Sequence, residues 1–461
     1  PGTTPAYSNY GIALAGYVVQ QVSGLDFADY ANQHIFGPAG MDTATMAQPL
    51  PPDLAEQMAT GYGDLRSASI PFEHIGMAPA GSMSATAPDM SAFMLAHLAG
   101  VDDGAASSQV LSPESVAAMQ QPPFGEESLG GLANGNGTAL GWWEQDRNGH
   151  RIVGHAGDTL AFHAELQLYP EAGTGIYVAL NSAGVRSEST SALRAQVMHG
   201  FADRYFPDTT EAPQATDTAA EHAEMLAGSY MPTRAVESNF VRSNSFAAPV
   251  SITAIGDGTI TVAGVVDASG APMRLVEVEP WVWQEVGGQQ RIAVDVTDDQ
   301  VRVVSIHPAM ALQPLPASMA VAQPVGIGAL VVLVVALIGW PASALVRRRY
   351  RVRAALSRGQ RRWRLAAMLG AVLALVSEAV WALVATTLIG AGEPSAGLIR
   401  LAQVLTLAGA LGLIPAAARL VGSVRERRWW PALCNLALTL GFAGIGYVAI
   451  VGRALSLDIT Y

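Results

Sequence analysis

Apolar and polar positions follow two different periods in the first 206 residues. Apolar residues alternate with polar ones over residues 162–169, which predicts a strand with one buried face. A second strand is predicted at residues 175–181. Helical spacing of other apolar residues predicts a helix that ends near Gly24: Ile12, Ala15, Val19 and Val22. This part of the chain therefore mixes helices and strands.

Two further helices are predicted in the same part of the chain. Thr86 and Asp89 have the spacing of a capping box, which predicts a helix from there through His97. A helix over about residues 187–205 closes the region. Residues 207–222 are then acidic, small and proline-containing, as is typical of a linker.

Short apolar runs separated by turns fill residues 223–316. Gly256-Asp257-Gly258 and Gly287-Gly288 are typical of hairpin turns. The pattern predicts six strands, at residues 250–255, 259–262, 273–278, 281–286, 291–296 and 301–306. We therefore expect a small all-β domain here.

Four long apolar stretches follow, at residues 324–346, 365–389, 398–421 and 430–451. As helices rising about 1.5 Å per residue, each is long enough to cross the hydrocarbon core of a bilayer. Nine arginines lie in the loop 347–364 and three in the loop 423–429, whereas the remaining connection has none. The positive-inside rule puts both arginine-rich loops in the cytoplasm. We expect a multi-pass protein of the plasma (inner) membrane with its N-terminal domains outside the cytoplasm.

The arginines and one intramembrane acid each have a second interpretation. An arginine cluster can bind nucleic acid, but loops this close to apolar spans argue against a nucleic-acid partner and for the lipid bilayer. Glu378 lies near the middle of the second span, where an acid is costly. It is either functional or held in an interhelical hydrogen bond, and the second role is the simpler one.

The composition excludes active sites that depend on a lysine of this chain. The chain has 461 residues, half of them hydrophobic and 14% charged, which argues against disorder. Its net charge of −12 combines 11 arginines and 34 acids in residues 1–322 with 15 arginines and 4 acids beyond. None of the 26 basic residues is a lysine, so no P-loop, Schiff-base lysine or Ser-x-x-Lys nucleophile lies within these residues. The single cysteine, Cys434, cannot form an internal disulfide.

Two short motifs hold the candidate chemistry. Tyr7-Ser8-Asn9 precedes the first predicted helix, and His155-Ala156-Gly157 opens onto the predicted strand pair. A glycine beside a strand lets a substrate backbone come close. By spacing alone, structural roles are the simpler explanation, with Tyr7 as a half-buried aromatic and Asn9 as a helix cap.

The order of the motifs along residues 1–206 changes this interpretation. It resembles the order in the serine beta-lactamase and penicillin-binding-protein superfamily, in its class C-like esterase and peptidase branch. The small β domain resembles one that often follows such hydrolases, and the spans resemble a membrane tail of some members. The matching motifs are Pro1-Gly2, Tyr7-x-Asn9, Pro38-Ala39-Gly40-Met41, PAGSMSATAPDMSAF at 79–93, Leu140-Gly141-Trp142 and Gly154-His155-Ala156-Gly157.

The resemblance implies an α/β domain, beta-lactamase/transpeptidase-like and incomplete, with a mainly antiparallel sheet, flanking helices and a helical subdomain at about residues 25–135. It also implies acyl transfer through a serine ester. Tyr7 would relay a proton, Asn9 would bond the substrate or the lysine, and His155 takes the place of the lysine in the family's Lys-Thr-Gly. The backbone N–H of Asp158, beside Gly157, would supply half of the oxyanion hole.

Two departures from the family pattern stand out. The Ser-x-x-Lys motif is absent, and in the family it lies upstream of Tyr-x-Asn, so we expect an N-terminally truncated chain that is itself inactive. A free phenol titrates near pH ~10, so Tyr7 needs a neighbouring positive charge, which the lysine would supply. Asp158 stands where many relatives have a small residue; its acid either disfavours anionic substrates or points to solvent.

No cofactor or metal is expected. His150 and His163 flank the candidate motif, but their spacing matches no zinc-ligand pattern. Glu165, Asp146 and Asp158 likewise form no recognisable glycosidase pair.

The sequence therefore predicts a membrane-anchored serine hydrolase whose substrate is a small molecule or peptide: an ester, an amide or a D-amino-acid peptide. A non-catalytic membrane sensor that binds cell-wall fragments or an antibiotic is the alternative from another class. A transporter that uses Glu378 is a third.

Overall fold

The computed structural model describes residues 4–98, 110–185, 189–209, 213–267, 270–352, 357–389 and 392–460. The chain forms two compact units. One comprises residues 1–234 and 250–314, and the other residues 235–249 and 315–461.

The first unit contains nine α-helices among its described residues, most of them short. They are α1 Asn9–Ser23, α2 Phe27–Ala31, α3 Gly37–Ala39, α4 Pro52–Ala55, α5 Ala87–Leu98, α6 Pro113–Met119, α7 Glu126–Leu129, α8 Ser189–Tyr205 and α9 Ala219–Leu226. The helices predicted at both ends of this region and after Thr86 are confirmed.

The ends of α1 and α5 follow from their capping residues. Gly24 ends α1 in the left-handed conformation, at φ 74°, which glycine adopts without steric cost. The backbone N–H of Thr86 donates to the Asp89 carboxylate over 2.8 Å, and the N–H of Asp89 donates to the Thr86 hydroxyl over 3.4 Å. The predicted capping box is therefore present. The apolar face of α1 is open to solvent, since Ile12 is 46% exposed and Val22 83% exposed.

An antiparallel sheet of four strands forms the centre of the α/β domain, in the spatial order β3-β4-β5-β6. The first two strands of the chain pair in a separate hairpin. The strands are β1 Gly61–Tyr62, β2 Ser69–Ile70, β3 Trp143–Glu144, β4 Val153–Asp158, β5 His163–Tyr169 and β6 Thr174–Leu180.

Helices cover both faces of this sheet. Leu166 and Leu168 pack in a cluster with Met90 of α5, whereas Tyr169 packs with Ala202 of α8. Adjacent strand residues point to opposite faces, so α5 and α8 lie on opposite sides of the sheet. The predicted single buried face of β5 is wrong for its second half, because α8 buries the other face as well. The mainly antiparallel α/β fold is confirmed.

Eight strands form a closed barrel in the second part of this unit. They are β7 Gly228–Pro232, β8 Val250–Ala254, β9 Thr259–Val266, β10 Pro272–Glu279, β11 Val282–Glu285, β12 Arg291–Thr297, β13 Gln300–His307 and β14 Met310–Pro314. The six predicted strands are present. The other two, β7 and β14, pair with each other and close the barrel, with Leu312 opposite Pro232.

The barrel packs directly on the α/β domain. Leu132, in a 3-10 turn after α7, is buried with Val303 and Ala311 of the barrel. The N–H of Gly131 donates to the Asp295 carboxylate over 3.3 Å, and a Cβ added at Gly131 would lie 2.5 Å from the Val294 carbonyl oxygen. The two backbones are therefore in contact, which fixes the barrel against the α/β domain.

The second unit contains the C-terminal helices. They are α10 Asn244–Ala247, α11 Ala317–Ala320, α12 Ala322–Arg349, α13 Arg358–Ile389, α14 Ala396–Ala410, α15 Leu413–Arg425 and α16 Trp429–Val451. Among the described residues, four helical stretches are long and apolar enough to cross a membrane, with α14 and α15 together forming the third. Gly409 permits close packing, because a Cβ there would lie 2.8 Å from the Cα of Ala374.

Residues 235–249 leave the barrel after β7, pack in the helical unit and return at β8. Phe240 is 2% exposed and packs with Val384 and Ile399, which lie on either side of the α13–α14 connection. The Asn239 side-chain amide donates to the carbonyl oxygen of Thr460. This segment therefore packs at the end of the helices that is remote from the two arginine-rich loops.

Candidate active site

Two residues singled out by the sequence meet in the structure. Tyr7 lies just before α1, and His155 is the third residue of β4. The Tyr7 hydroxyl oxygen lies 3.4 Å from Nε2 of His155, at the long end of the hydrogen-bonding range. The fold thus pairs a phenol with an imidazole that is 148 residues away in the chain.

Trp143 of β3 holds the His155 ring in place. The two rings stack with centres 4.0 Å apart and an interplanar angle of 28°. Trp143 also meets the Tyr7 ring edge-on at 6.0 Å. The contact follows from the strand register, since Trp143 lies opposite Gly154 in the β3–β4 ladder. A ring packed in this way keeps its Nε2 directed at Tyr7.

Burial lowers the pKa of the His155 imidazole, an effect opposed by a backbone hydrogen bond at Ala156. The ring is therefore neutral at pH 7. A neutral imidazole can accept a proton from a hydroxyl group, and a charged one cannot. The pair is chemically suited to moving a proton between Tyr7 and a third group.

The backbone beside this pair is open along one edge of the sheet. Strand β3 pairs only with Val153 and Gly154, whereas β5 pairs with the whole of β4. Within the described parts of the chain, no strand pairs with the other side of residues 155–158. An extended substrate backbone can add to such an edge. At Gly157 an added Cβ would meet no described atom within 4 Å.

The Asp158 side chain is held by an arginine and a histidine of its own domain. Nη1 of Arg194 lies 2.9 Å from the carboxylate, and Nδ1 of His163 lies 2.7 Å from it. Burial raises the pKa of Asp158, but the hydrogen bonds from Arg194 and His163 outweigh this and lower it. The side chain is 49% exposed, in line with the expectation of a solvent-facing acid, but its ion pair with Arg194, which also pairs with Glu165 over 3.1 Å, was not predicted.

Asn9 is the first residue of α1 but does not cap the helix. The cap is Ser8, whose hydroxyl accepts from the N–H of Gly11 over 3.0 Å. The structural role proposed for Asn9 from sequence is therefore wrong. Among the described residues, the half-buried side-chain amide of Asn9 has no hydrogen-bond partner and is free to bind another group.

Two further residues at this site come from the barrel, and sequence reasoning missed both. Cζ of Arg234, two residues after the end of β7, lies 5.2 Å from the centre of the Tyr7 ring. His307, at the end of β13, meets Trp143 edge-on with ring centres 4.9 Å apart. No motif marks either residue, because their position depends on how the barrel packs against the α/β domain.

The two other histidines near the motif do not form a metal centre. The His163 ring bonds to Asp158, and His150 packs edge-on against Phe206 at 5.3 Å. Across the described ranges, no group of three histidine, cysteine, aspartate or glutamate side chains is arranged to hold a metal ion.

A mainly antiparallel sheet with helices on both faces, and an open strand edge beside Tyr7 and His155, define a beta-lactamase/transpeptidase-like fold. Residues 1–198 match the family model described as Beta-lactamase. This part of the chain is thus similar to the Beta-lactamase family, and it is followed by the barrel and the four long apolar helices.

Known proteins similar to this chain match it over part of their length. The putative beta-lactamase-like protein 1 of Homo sapiens is 27% identical over 183 residues, covering 39% of this chain and 34% of the human protein. An unguisins hydrolase of Aspergillus campestris is 25% identical over 189 residues, covering 40% of this chain and 34% of the fungal protein. The chain thus spans about a third of the length of these curated relatives.

Solved structures of related proteins are more distant. An octameric penicillin-binding protein homologue from Pyrococcus abyssi is 17% identical, with a TM-score of 0.36 over 68% of this chain and 66% of that one. A beta-lactamase/D-alanine carboxypeptidase from Yersinia pestis is 22% identical, with a TM-score of 0.33 over 43% of this chain and 56% of that one.

Proposed function

We propose that this chain belongs to a membrane-anchored serine hydrolase that acts through a serine acyl-enzyme. The contact between Tyr7 and the neutral His155 carries the proposal, because it provides a proton relay beside an open strand edge. Tyr7 moves the proton between the serine and the leaving group. Asn9 orients the substrate, and the backbone at Gly157 and Asp158 stabilises the oxyanion.

The nucleophile belongs to a segment outside these 461 residues. The chain contains no lysine and so cannot supply a Ser-x-x-Lys motif. Exposed apolar side chains of α1 support this proposal, because Leu14 and Val18, which share one face of the helix, are 47% and 53% exposed. Such a surface is typical of a helix that packs against another element.

The proposed substrate is a small ester, an amide or a D-amino-acid peptide. A strand edge favours substrates with an extended backbone.

The four apolar helices are proposed to anchor the enzyme in the plasma (inner) membrane, with the catalytic domain outside the cytoplasm. Residues 235–249, which continue the barrel strand β7, pack on the helix ends that lack the arginine-rich loops. By the positive-inside rule, these helix ends lie on the non-cytoplasmic side.

Activity-based labelling tests the enzymatic proposal. A fluorescent fluorophosphonate should label the protein when it is produced with the residues encoded upstream of Pro1, and should not label residues 1–461 alone. Labelling of residues 1–461 alone would refute the proposed mechanism. An upstream sequence without Ser-x-x-Lys would favour the alternative below.

A non-catalytic membrane sensor is the second candidate, and one connection in the structure favours it. Arg234 contacts Tyr7, and the segment that begins at the next residue packs among α13 and α14. A sensor should bind its ligand without turning it over. Binding assays on the full-length protein would then show reversible binding and no acylation.

A further inference from the structure

Two arginines from two helices meet at Trp340, near one end of the helical unit. Cζ of Arg364 in α13 and Cζ of Arg419 in α15 each lie 5.9 Å from the ring centre of Trp340 in α12. Bringing like charges together is unfavourable unless an anion lies among them.

The protein supplies no such anion among its described residues. In the described part of residues 315–460, the one ion pair joins Arg428 and Glu426, at 3.4 Å. Glu426 also accepts a hydrogen bond from Gln360 over 2.8 Å, so the acid of the neighbouring loop is already engaged. The two arginines are therefore unbalanced within the part of the helical unit that the structure describes.

Most of the hydrogen-bond donors of these arginines are also unused. Arg364 donates once, to the Trp340 carbonyl oxygen over 3.2 Å, and Arg419 donates once, to the Asn435 side chain over 3.0 Å. Each guanidinium has five N–H groups in a planar fork that matches the oxygens of a phosphate. The remaining N–H groups can bind an external phosphate.

The surface beside Arg364 fits a ligand with an acyl chain. Leu365, Leu369 and Val372 lie on one face of α13 and are 65%, 60% and 44% exposed. Their spacing of four and three residues forms an apolar stripe that starts next to the arginines and runs toward the centre of the helix. A lipid whose phosphate lies at Arg364 can place an acyl chain along this stripe.

We propose that Arg364 and Arg419, together with Trp340, form a binding site for the phosphate of an anionic phospholipid. Basic pockets between helices at the cytoplasmic side of a membrane are suited to such headgroups. This inference rests on the proposed membrane location of the four helices, but it is independent of the catalytic proposal.

Nanodiscs test the site in the full chain. In phosphatidylcholine nanodiscs with and without phosphatidylglycerol, we expect the wild-type protein to retain phosphatidylglycerol in native mass spectra and to melt at a higher temperature with it. Arg364→Gln and Arg419→Gln should each weaken this binding roughly 10- to 100-fold, since hydrogen bonds to charged groups contribute about 1.5–3 kcal/mol. Arg348→Gln removes an exposed charge from the same helix end and should leave binding unchanged.

Several results would overturn the proposal. Equal retention of phosphatidylcholine and phosphatidylglycerol by the wild-type protein would overturn the proposal. This result needs no variant, so it can be obtained even if the variants do not fold. Equal weakening by Arg348→Gln would reduce the effect to general surface charge. An identical stabilisation by inorganic phosphate would replace the lipid with a free anion. Release of the protein from membranes by alkaline carbonate would instead refute the membrane location and the lipid with it, leaving the labelling test of the catalytic domain unaffected.

Discussion

The hydroxyl oxygen of Tyr7 lies 3.4 Å from Nε2 of His155. The Trp143 ring stacks on the His155 ring, with ring centres 4.0 Å apart, and restricts the imidazole to one orientation. The contact joins Tyr7, which precedes α1, to His155 at the open edge of β4. It makes the proton-transfer role of Tyr7 open to direct test.

Replacing Tyr7 with phenylalanine removes the hydroxyl and keeps the ring packing. In the protein that includes its upstream segment, we expect Tyr7→Phe to slow acylation by a fluorophosphonate about 10²- to 10⁴-fold, the usual contribution of general acid–base catalysis. Tyr10→Phe is the matched control, because Tyr10 is 71% exposed and lies one residue inside α1. Acylation by Tyr7→Phe at nearly the wild-type rate would exclude Tyr7 from the relay.

Arg234→Gln tests the contribution of the barrel to the site. The guanidinium over the Tyr7 ring contributes about 0.5–1 kcal/mol as a cation–π contact, so its loss should lower kcat/KM for an ester substrate roughly two- to fivefold. Arg302→Gln removes the same charge from the exposed surface of β13 and should have no effect. If both variants lower kcat/KM equally, the effect comes from the overall charge of the barrel.

Glu277→Gln should weaken the barrel at neutral pH. The Glu277 carboxylate is completely buried and accepts hydrogen bonds from His222 over 2.6 Å, from Thr218 over 2.8 Å and from the N–H of Trp281 over 2.7 Å. Hydrogen bonds to a charged group each contribute about 1.5–3 kcal/mol, so the melting temperature should fall by several degrees. Glu279→Gln, on the same strand, removes only an exposed ion pair with Arg291 and should change little.

The same carboxylate predicts how barrel stability depends on pH. Burial raises the pKa of Glu277, but the hydrogen bonds from its partners outweigh this and lower it below the ordinary 4.5. Its stabilisation is therefore complete above the unfolded pKa and is lost as pH falls through the lower folded pKa. As the pH is lowered from 7 to 3, the melting temperature should fall less steeply for Glu277→Gln than for the wild-type protein. The same pH dependence of the melting temperature in both proteins would contradict this assignment.

Gly131→Ala should loosen the contact between the barrel and the α/β domain. The added Cβ would lie 2.5 Å from the Val294 carbonyl oxygen, a distance that requires the backbones to separate. Such overpacking costs about 1–3 kcal/mol and should lower the melting temperature by several degrees. Gly125→Ala is the control, since its added Cβ would meet no described atom within 4 Å. Fluorophosphonate labelling should also slow in Gly131→Ala if the barrel residues at the site matter.

Cysteine labelling tests the proposed orientation of the helices. In a Cys434→Ser background, a membrane-impermeant maleimide should label Glu393→Cys in intact cells, because Glu393 lies in the connection without arginines. It should label Gly359→Cys only after permeabilisation. The reverse pattern would invert the proposed topology, and equal labelling of both would argue against insertion.

The sequence by itself determined the features that depend on local pattern. Four apolar stretches are visible without any knowledge of tertiary contacts, because a helix in lipid must be apolar along its whole length. The capping box at Thr86 and the six strands marked by hairpin turns are local in the same sense. The motif order also placed Tyr7 and His155 in one candidate site.

Only the tertiary structure decided what depends on partners distant in the chain. Strands β7 and β14 each end in a proline and carry no alternating pattern of their own, and they are strands because each pairs with the other across the closing barrel. Asp158 acquires its ion pair from Arg194 on α8. Arg234 and His307 reach Tyr7 and Trp143 because the barrel packs on Gly131 and Leu132. The periodicity of the sequence predicts which face of a helix or strand is apolar. The packing of the whole domain determines which residues that face contacts.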